Sequence, residues 1–325
     1  MAIASPANTD SCIAEIKRLE AVGCDLIRVA VPDQASAKAI HLLKQATKVP
    51  LIADIHFDPD LAMIAIEQGI DKIRLNPSNV KDPIRIKDII QAAFSVNIPI
   101  RVGANAGSVK LDPDTNLTEA LFQALQREVA ILESLGFTQI VLSAKCSSLE
   151  QNWKLNHRLA DSYPYPIHIG LTEAGLLAPG IVQTTLSLSA LLKAGIGDTL
   201  RFSLSGELEQ EVIAGKTLLQ ALGLRNGVRV IACPMCGRSR WNVQKYATML
   251  SQACEKLQTS CTVAVMGCEV NGPGEAREAD YGLAGSGTYV VYFEKGEIRD
   301  KGHPDEMMKT LLQQVLLRNK ECQKG

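Results

Sequence analysis

The 325-residue sequence predicts an α/β protein, in which a TIM-type (β/α)8 barrel precedes a smaller α+β domain. From residue 9 to about 205, helical patterns alternate with short runs of β-branched residues, which is typical of parallel strands buried on both faces. After about residue 222 this alternation gives way to isolated strands, helices and a hairpin. We therefore predict one domain over residues 1–224 and a second over residues 225–325.

The first domain repeats one unit, a helix followed by a strand. The predicted strands are residues 25–31, 49–56, 71–76, 98–105, 138–145, 165–172 and 198–205. Between them, apolar residues recur every three or four positions, which predicts amphipathic helices. Seven such units favour a barrel over a doubly wound sheet. An eighth strand should come before the first helix, but only MAIAS stands there, so we expect the first strand to be truncated.

The second domain has a different order of elements. The predicted order is a strand at VRVIACP, a helix at WNVQKYATMLSQACEKL, a strand at TVAVMGC, a turn at NGPGEA, a hairpin at TYVVYFEKGEIRD and a helix at PDEMMKTLLQQVLLRNK. The hairpin is expected to turn near Lys295 and Gly296, because Lys-Gly interrupts the two strand patterns.

Composition argues against several classes of partner and location. The net charge of −1 and the aromatic content of 4% disfavour nucleic acid or a membrane surface as partners. No apolar run approaches the roughly 20 residues that span a bilayer, and the N-terminus lacks the pattern of a secretory signal. Nine scattered cysteines fit free or metal-bound thiols in a reducing compartment. We expect a cytoplasmic protein or a processed plastid form.

Cationic residues stand within the otherwise apolar barrel strands. They are Arg28, Arg74, Arg101, Lys145 and Arg201, and they are accompanied by Asp54, His56, Asn76, Asn105, His168, Glu173 and Ser203. The C-terminal ends of barrel strands form the catalytic mouth. An unpaired buried cation costs several kcal/mol, so five of them would exceed a net stability of about 5–15 kcal/mol. The pattern therefore predicts a wet pocket for a multiply charged anion, such as a diphosphate or a cyclic diphosphate.

Three residues near these cations have two interpretations each. Asp54 and His56 could supply acid–base chemistry or bind a substrate hydroxyl, or they could form a structural pair. Glu173 could take part in the chemistry, or it could stabilise the N-terminus of a helix that it opens.

The pair Cys233 and Cys236 leaves three interpretations open. A redox pair needs a helix directly at the motif, and structural zinc needs a second close pair of ligands, which the sequence lacks. Cys268 closes the next strand and enters the Gly- and Pro-rich loop CEVNGPGE, whose backbone N–H groups could bind sulfide or thiolate. Three cysteines from two strand ends could hold three corners of a [4Fe–4S] cluster, with Glu275 as a displaceable ligand of the fourth iron.

The motifs ACPMCGR and VAVMGCEVNGPGEAREAD resemble the 4-hydroxy-3-methylbut-2-enyl diphosphate synthase family. So do, in the same order, LIRVAVPD, PLIADIHFD, IRLNPSN, IRVGANAGS, HIGLTEAG and LRFSLSG. The resemblance covers nearly the whole chain. It implies a homodimer in which the barrel of one subunit faces a [4Fe–4S] cluster in the partner's C-terminal domain. It further implies the reductive opening of 2-C-methyl-D-erythritol 2,4-cyclodiphosphate, with two electrons from ferredoxin or flavodoxin.

The resemblance also implies a role for each matching residue. Cys233, Cys236, Cys268 and Glu275 match the cluster ligands, and Glu275, Glu173 and Asp54 match acidic positions at the chemistry. The substrate-binding positions are matched by Arg28, His56, Arg74, Arg101, Asn105, Lys145, Arg201 and Ser203. Two alternatives stay open: a non-redox barrel enzyme with a structural zinc module, acting on a phosphorylated small molecule, and a binding module with regulatory cysteines.

Overall fold

A computed structural model describes residues 2–4 (as backbone), 8–56, 58–105, 107, 109, 116–234, 236, 239, 241–269, 272–285 and 288–322. The chain divides into two compact units, Met1–Leu218 and Leu219–Gly325. The predicted boundary after residue 224 lies in the loop that follows the last helix of the first unit, and it stays a prediction.

The described residues of the first unit form eight parallel strands. They are β1 (Ala2–Ala4), β2 (Ile27–Ala30), β3 (Leu51–Asp54), β4 (Lys72–Arg74), β5 (Ile100–Asn105), β6 (Ile140–Lys145), β7 (His168–Gly170) and β8 (Thr199–Arg201). Strands β1 to β6 form one sheet in chain order, and β7 pairs with β8. A bridge between Leu142 and Ile167 joins β6 to the segment before β7. Each of the seven predicted barrel strands contains an observed strand, which confirms the predicted alternation.

The eighth strand expected before the first helix is present as β1, which has three residues, and its truncation stays a prediction. Its three residues pair in parallel with β2, from Ala2 opposite Ile27 to Ala4 opposite Val29. Three residues suffice because the neighbouring strand supplies their backbone hydrogen bonds. Closure of the barrel between β8 and β1 stays a prediction.

Helices alternate with these strands. They are α1 (Thr9–Ala21), α2 (Gln34–Ala46), α3 (Pro59–Glu67), α4 (Pro83–Ser95), α5 (Leu117–Ser134), α6 (Leu149–Ser162), α7 (Leu177–Lys193) and α8 (Leu208–Ala221). Local sequence explains where several of them begin. Asp58 and Asp82 cap α3 and α4 by accepting a hydrogen bond from a backbone N–H, and proline stands at the first helical position in both.

The second unit is built on a five-stranded sheet. Its strands are β9 (Val228–Ala232), β10 (Cys261–Met266), β11 (Tyr281–Gly285), β12 (Val290–Glu294) and β13 (Glu297–Gly302), in the spatial order β13-β12-β11-β10-β9. Strands β9, β10 and β11 are parallel, whereas β12 and β13 form an antiparallel hairpin. Helices α9 (Val243–Cys254), α10 (Gly272–Glu275) and α11 (Pro304–Cys322) complete the unit.

Two features of the second unit bear on the predictions. The predicted hairpin turn is confirmed, since Lys295 and Gly296 both have positive φ angles, of 49° and 83°. Strand β11 was missed, because YGLAG has few β-branched residues. Gly282 stands there because the Phe293 ring occupies the space that a Cβ would need.

Among the described residues, none of the helices combines the length and apolarity needed to cross a bilayer.

Candidate active site

The parallel register of the first unit brings several predicted cations on neighbouring strands together. Asp54 lies opposite Arg74, which in turn lies opposite Arg101. Arg74, Lys145 and Arg201 end their strands, whereas Arg28 and Arg101 are the second residues of β2 and β5. The charges of Arg28, Arg74 and Arg201 all act on Arg101, so these residues form one cluster.

Asp54 is the counter-ion at the centre of this cluster. Its carboxylate oxygens lie 3.3 Å from Arg28 Nε, 3.5 Å from Arg74 Nη1 and 3.5 Å from His56 Nε2. Arg74 Nη1 also lies 3.2 Å from His56 Nδ1. Asp54 is buried, with 8% of its surface exposed, so this charge is tightly coupled to its two guanidinium partners.

A second carboxylate, Glu211 on α8, was not predicted from the sequence. Its oxygens accept hydrogen bonds from Arg201 Nε at 3.1 Å, from Arg201 Nη2 at 3.2 Å and from the Leu204 backbone N–H at 3.0 Å. Glu211 is 3% exposed and shares the buried stripe of α8 with Gly215 and Leu218. A glutamate in an apolar helical stripe is the signal that could have revealed it.

Burial and mutual repulsion weaken the charged forms of several cations. Burial, with Arg28 as the next cause, lowers the pKa of Arg101 to about 9, and burial lowers the pKa of Arg28 to about 10. Burial and the neighbouring arginines also lower the pKa of Lys145 well below its usual range. Both guanidinium groups remain charged at neutral pH, whereas Lys145 is the cation whose charge is most disfavoured.

In the described part of the chain, Asp54 pairs with Arg28 and Arg74, and Glu211 pairs with Arg201. The five cations thus outnumber these two carboxylates. The electrostatic balance therefore supports the predicted anion pocket.

The remaining predicted residues of the barrel fall into two groups. Asn105 ends β5 opposite Lys145, and half-buried Ser203 lies two residues after Arg201, which ends β8. Asn76 has a structural role, since its side-chain amide pairs with both the N–H and the carbonyl of Gly103, at 2.9 and 2.7 Å.

The predicted helix-opening role of Glu173 is wrong. This exposed residue lies in a bend, and α7 begins only at Leu177, beyond the reach of a first-turn dipole. Glu173 has a φ angle of 57°, a left-handed conformation that is unusual outside glycine. Such backbone conformations cluster at functional sites, because the surrounding structure must enforce them.

Three cysteines lie toward one end of the second sheet. Cys233 and Cys268 follow the neighbouring parallel strands β9 and β10, and the Cys233 N–H donates to the Val265 carbonyl at 3.0 Å. The Gly272 N–H donates to the Cys268 carbonyl at 3.0 Å and opens α10, the short helix that ends at Glu275. Chain topology thus places Cys233, Cys268 and Glu275 beyond the C-terminal ends of β9 and β10. These strand ends form one edge of the sheet.

The loop that carries Cys236 is anchored against the same edge. The Ser239 N–H donates to the Cys236 carbonyl at 2.9 Å, and an ideal Cβ at Gly267 would lie 3.1 Å from Ser239 Cβ. Trp241 Nε1 donates to the Met266 carbonyl at 2.8 Å. These contacts hold the Cys236 loop beside the segment that leads into Cys268.

The cysteines of this edge differ from most of the others in burial. Cys233 and Cys268 are half-buried and Cys236 is exposed. Elsewhere, burial raises the pKa of Cys12 and Cys146 to about 11, so those thiols stay protonated at neutral pH and are poor metal ligands. Cys254 and Cys261 are buried in the same way, with pKa values raised to about 12 and about 11.

The residues at this edge fit an iron–sulfur cluster in chemical type. Cys233 and Cys268 follow neighbouring strands, Cys236 and Glu275 are exposed, and thiolates are the usual ligands of such clusters. Their side chains are not arranged as a complete metal site, since among the described residues no group of three or more His, Cys, Asp or Glu could hold a metal ion.

Comparison with known proteins gives consistent matches over both units. The family model described as the GcpE TIM-barrel domain matches residues 1–216, and that of the GcpE protein C-terminal domain matches residues 229–316. A relative from Thermotoga petrophila, named 4-hydroxy-3-methylbut-2-en-1-yl diphosphate synthase (flavodoxin), is 46% identical over 93% of this chain and 87% of its own length. A relative of the same name from Natranaerobius thermophilus is 43% identical over 94% of this chain and 86% of its own.

Proposed function

Because this chain belongs to the GcpE family, we propose that it converts 2-C-methyl-D-erythritol 2,4-cyclodiphosphate to 4-hydroxy-3-methylbut-2-enyl diphosphate. The reaction is a reductive ring opening and dehydroxylation in isoprenoid precursor biosynthesis, so the chain is an oxidoreductase. The observation that carries this proposal is the group of five cations facing two carboxylates in the first unit, which suits a substrate with two linked phosphates.

The barrel residues bind and orient the substrate. Arg28, Arg74, Arg101, Lys145 and Arg201 neutralise the phosphate oxygens, while His56, Asn105 and Ser203 donate or accept hydrogen bonds. Asp54 keeps Arg28 and Arg74 in place through its two ion pairs. Holding the substrate in one orientation lowers the entropic part of the barrier, because the reacting groups no longer have to find each other.

Cys233, Cys236, Cys268 and Glu275 would hold a [4Fe–4S] cluster. When bound, the cluster supplies electrons one at a time for cleavage of the carbon–oxygen bond. We assign to Glu173 the proton that the leaving hydroxyl needs. Its left-handed backbone and the lack of a hydrogen bond or ion pair to another described residue support a role outside the structural framework.

Replacing Cys268 with serine is expected to abolish the brown absorption of the anaerobically reconstituted protein and its turnover, because a neutral hydroxyl is a poor iron ligand. The matched control is Cys322→Ser, since Cys322 is an exposed thiol at the end of α11 that contacts Thr259. Iron, sulfide and turnover are measured in both variants. Full absorption in Cys268→Ser would contradict the ligand assignment, and zinc in place of iron would support the non-redox alternative.

We further propose flavodoxin as the electron donor, because the relatives carry that word in their names, with ferredoxin as the second candidate. The nine free cysteines support a location in the cytoplasm, where thiols stay reduced. The proposed assembly is a homodimer in which the barrel of one subunit faces the cluster of the other.

Mixing two inactive variants tests the shared site. In a heterodimer of Lys145→Met and Cys268→Ser, one intact barrel faces one intact cluster, so a random mixture should regain about a quarter of wild-type turnover for a closed two-fold dimer. The measurement is turnover after the two variants are mixed and allowed to exchange subunits, with each variant alone as control. A heterodimer demonstrated by differential tagging but without any turnover would place barrel and cluster of each site in one chain.

A further inference from the structure

His168 on β7 links Lys145 on β6 to Thr199 on β8. Lys145 Nζ lies 3.1 Å from His168 Nε2, and His168 Nδ1 lies 2.9 Å from Thr199 Oγ1. An ammonium group can only donate, so with Lys145 charged Nε2 accepts and the Nδ1–H donates to the threonine hydroxyl. His168 is 1% exposed, and burial followed by the charge of Lys145 lowers its pKa well below the usual range, so the ring stays neutral.

The surroundings leave Lys145 little freedom. An ideal Cβ at Gly170 would lie 2.7 Å from Lys145 Nζ and 3.0 Å from the Arg201 carbonyl oxygen, so only glycine leaves room for the lysine on this strand. Arg101 on β5, Arg201 on β8 and Arg28 on β2 all disfavour its charge. Glu211 on α8 favours that charge, and its carboxylate is already bonded to Arg201.

We propose that His168 is a positioning residue, which holds Lys145 toward the bound anion without a carboxylate partner, and that anion binding is accompanied by the uptake of one proton at Lys145. The proposal rests on the proposed function in taking the anion to be the diphosphate of the substrate. In the step itself, the lysine amine gains a proton from solvent or buffer, one N–H bond forms, and no other bond changes.

The expected dependence on pH follows from the two states of Lys145. Without the anion, burial and the neighbouring arginines lower the pKa of Lys145, whereas the charge of a bound diphosphate raises it. The affinity for the anion is therefore highest at pH values where Lys145 is already protonated in the free protein. It falls as pH rises above the lowered pKa of Lys145, and it levels off once the bound protein also loses the proton.

Two substitutions of His168 separate positioning from structural support. Glutamine can place an oxygen where Nε2 accepts from Lys145, whereas asparagine reaches only the position of Nδ1. We expect His168→Asn to raise the KM for the cyclodiphosphate about tenfold, with a smaller change in kcat, and His168→Gln to restore most of the affinity. Equal KM values in the two variants, with matching losses of thermal stability, would show a merely structural histidine and overturn the assignment.

Isothermal titration calorimetry measures the proton uptake that accompanies anion binding. Inorganic diphosphate is titrated into the protein near neutral pH in two buffers that differ in ionisation enthalpy. Diphosphate releases protons of its own on binding, so the quantity that reports on Lys145 is the difference between the two proteins. The wild type should take up more protons than Lys145→Met, by at most one proton per site. Equal proton exchange in the two proteins, with diphosphate bound to both, would overturn the proposal. A protein that takes up the proton but does not turn over the cyclodiphosphate would instead contradict the proposed function and leave this inference standing.

Discussion

Replacing Asp54 with asparagine is expected to lower the free energy of unfolding by about 3 kcal/mol in the absence of anions. Asparagine keeps the shape of the side chain and removes the charge that lies 3.3 Å from Arg28 and 3.5 Å from Arg74. The two guanidinium groups would then repel each other in a half-buried site. Urea denaturation in a buffer without phosphate or sulfate measures the loss.

Inorganic diphosphate should partly restore the stability of Asp54→Asn. The added anion supplies the negative charge that Asp54→Asn lacks, so it should raise the melting temperature of the variant more than that of the wild type. Diphosphate at a concentration about a hundredfold above its Kd for the wild type adds about 2.7 kcal/mol to the free energy of unfolding of that protein. At the same concentration the variant gains more, because it binds the anion more tightly.

The matched control for this substitution is Asp161→Asn, which removes an exposed carboxylate on α6. It should leave both the stability and the response to diphosphate unchanged, as expected for a surface substitution. If Asp54→Asn were as stable as the wild type without anions, Asp54 would not be the counter-ion of the cluster.

The strand and helix pattern of the first unit was predictable because it depends on local sequence. The run at residues 98–105 is apolar apart from Arg101 and Asn105, and it contains β5, which is buried over most of its length. The residues MAIAS gave only a weak indication of β1, because this segment forms a strand through its pairing with β2 and not through its own composition. Strand β11 was missed for a related reason, since Gly282 leaves room for the Phe293 ring and Gly285 leaves room for the Trp241 indole.

The charged residues of the site could be predicted, but their partners could not. Arg201 stood out as a cation in an apolar strand, whereas Glu211 lies on the following helix and meets it only in the fold. His168 and Thr199 are separated by 31 residues, and their contact depends on the pairing of β7 with β8. Single residues reveal their chemical type in the sequence, while hydrogen-bond networks appear only when distant elements pack.

Gly285 matters because the absence of a side chain leaves room for the Trp241 indole. An ideal Cβ at this position would lie well inside van der Waals contact with the Trp241 indole. That indole donates to the Met266 carbonyl at 2.8 Å and packs against Tyr246, with ring centroids 4.9 Å apart. A methyl group would push the indole away from Met266, two residues before Cys268.

Gly285→Ala is therefore expected to cost the second unit about 1–3 kcal/mol through overpacking. It should also lower the iron content after anaerobic reconstitution at least about tenfold, because ligand geometry depends on supporting contacts outside the ligand set. Binding of inorganic diphosphate by the barrel should persist, which distinguishes a local effect from global unfolding. The control is Gly206→Ala, where nothing lies within 4 Å of the added methyl group. Full iron content in Gly285→Ala would mean that the Trp241 contact does not hold the Cys236 loop in place for the cluster.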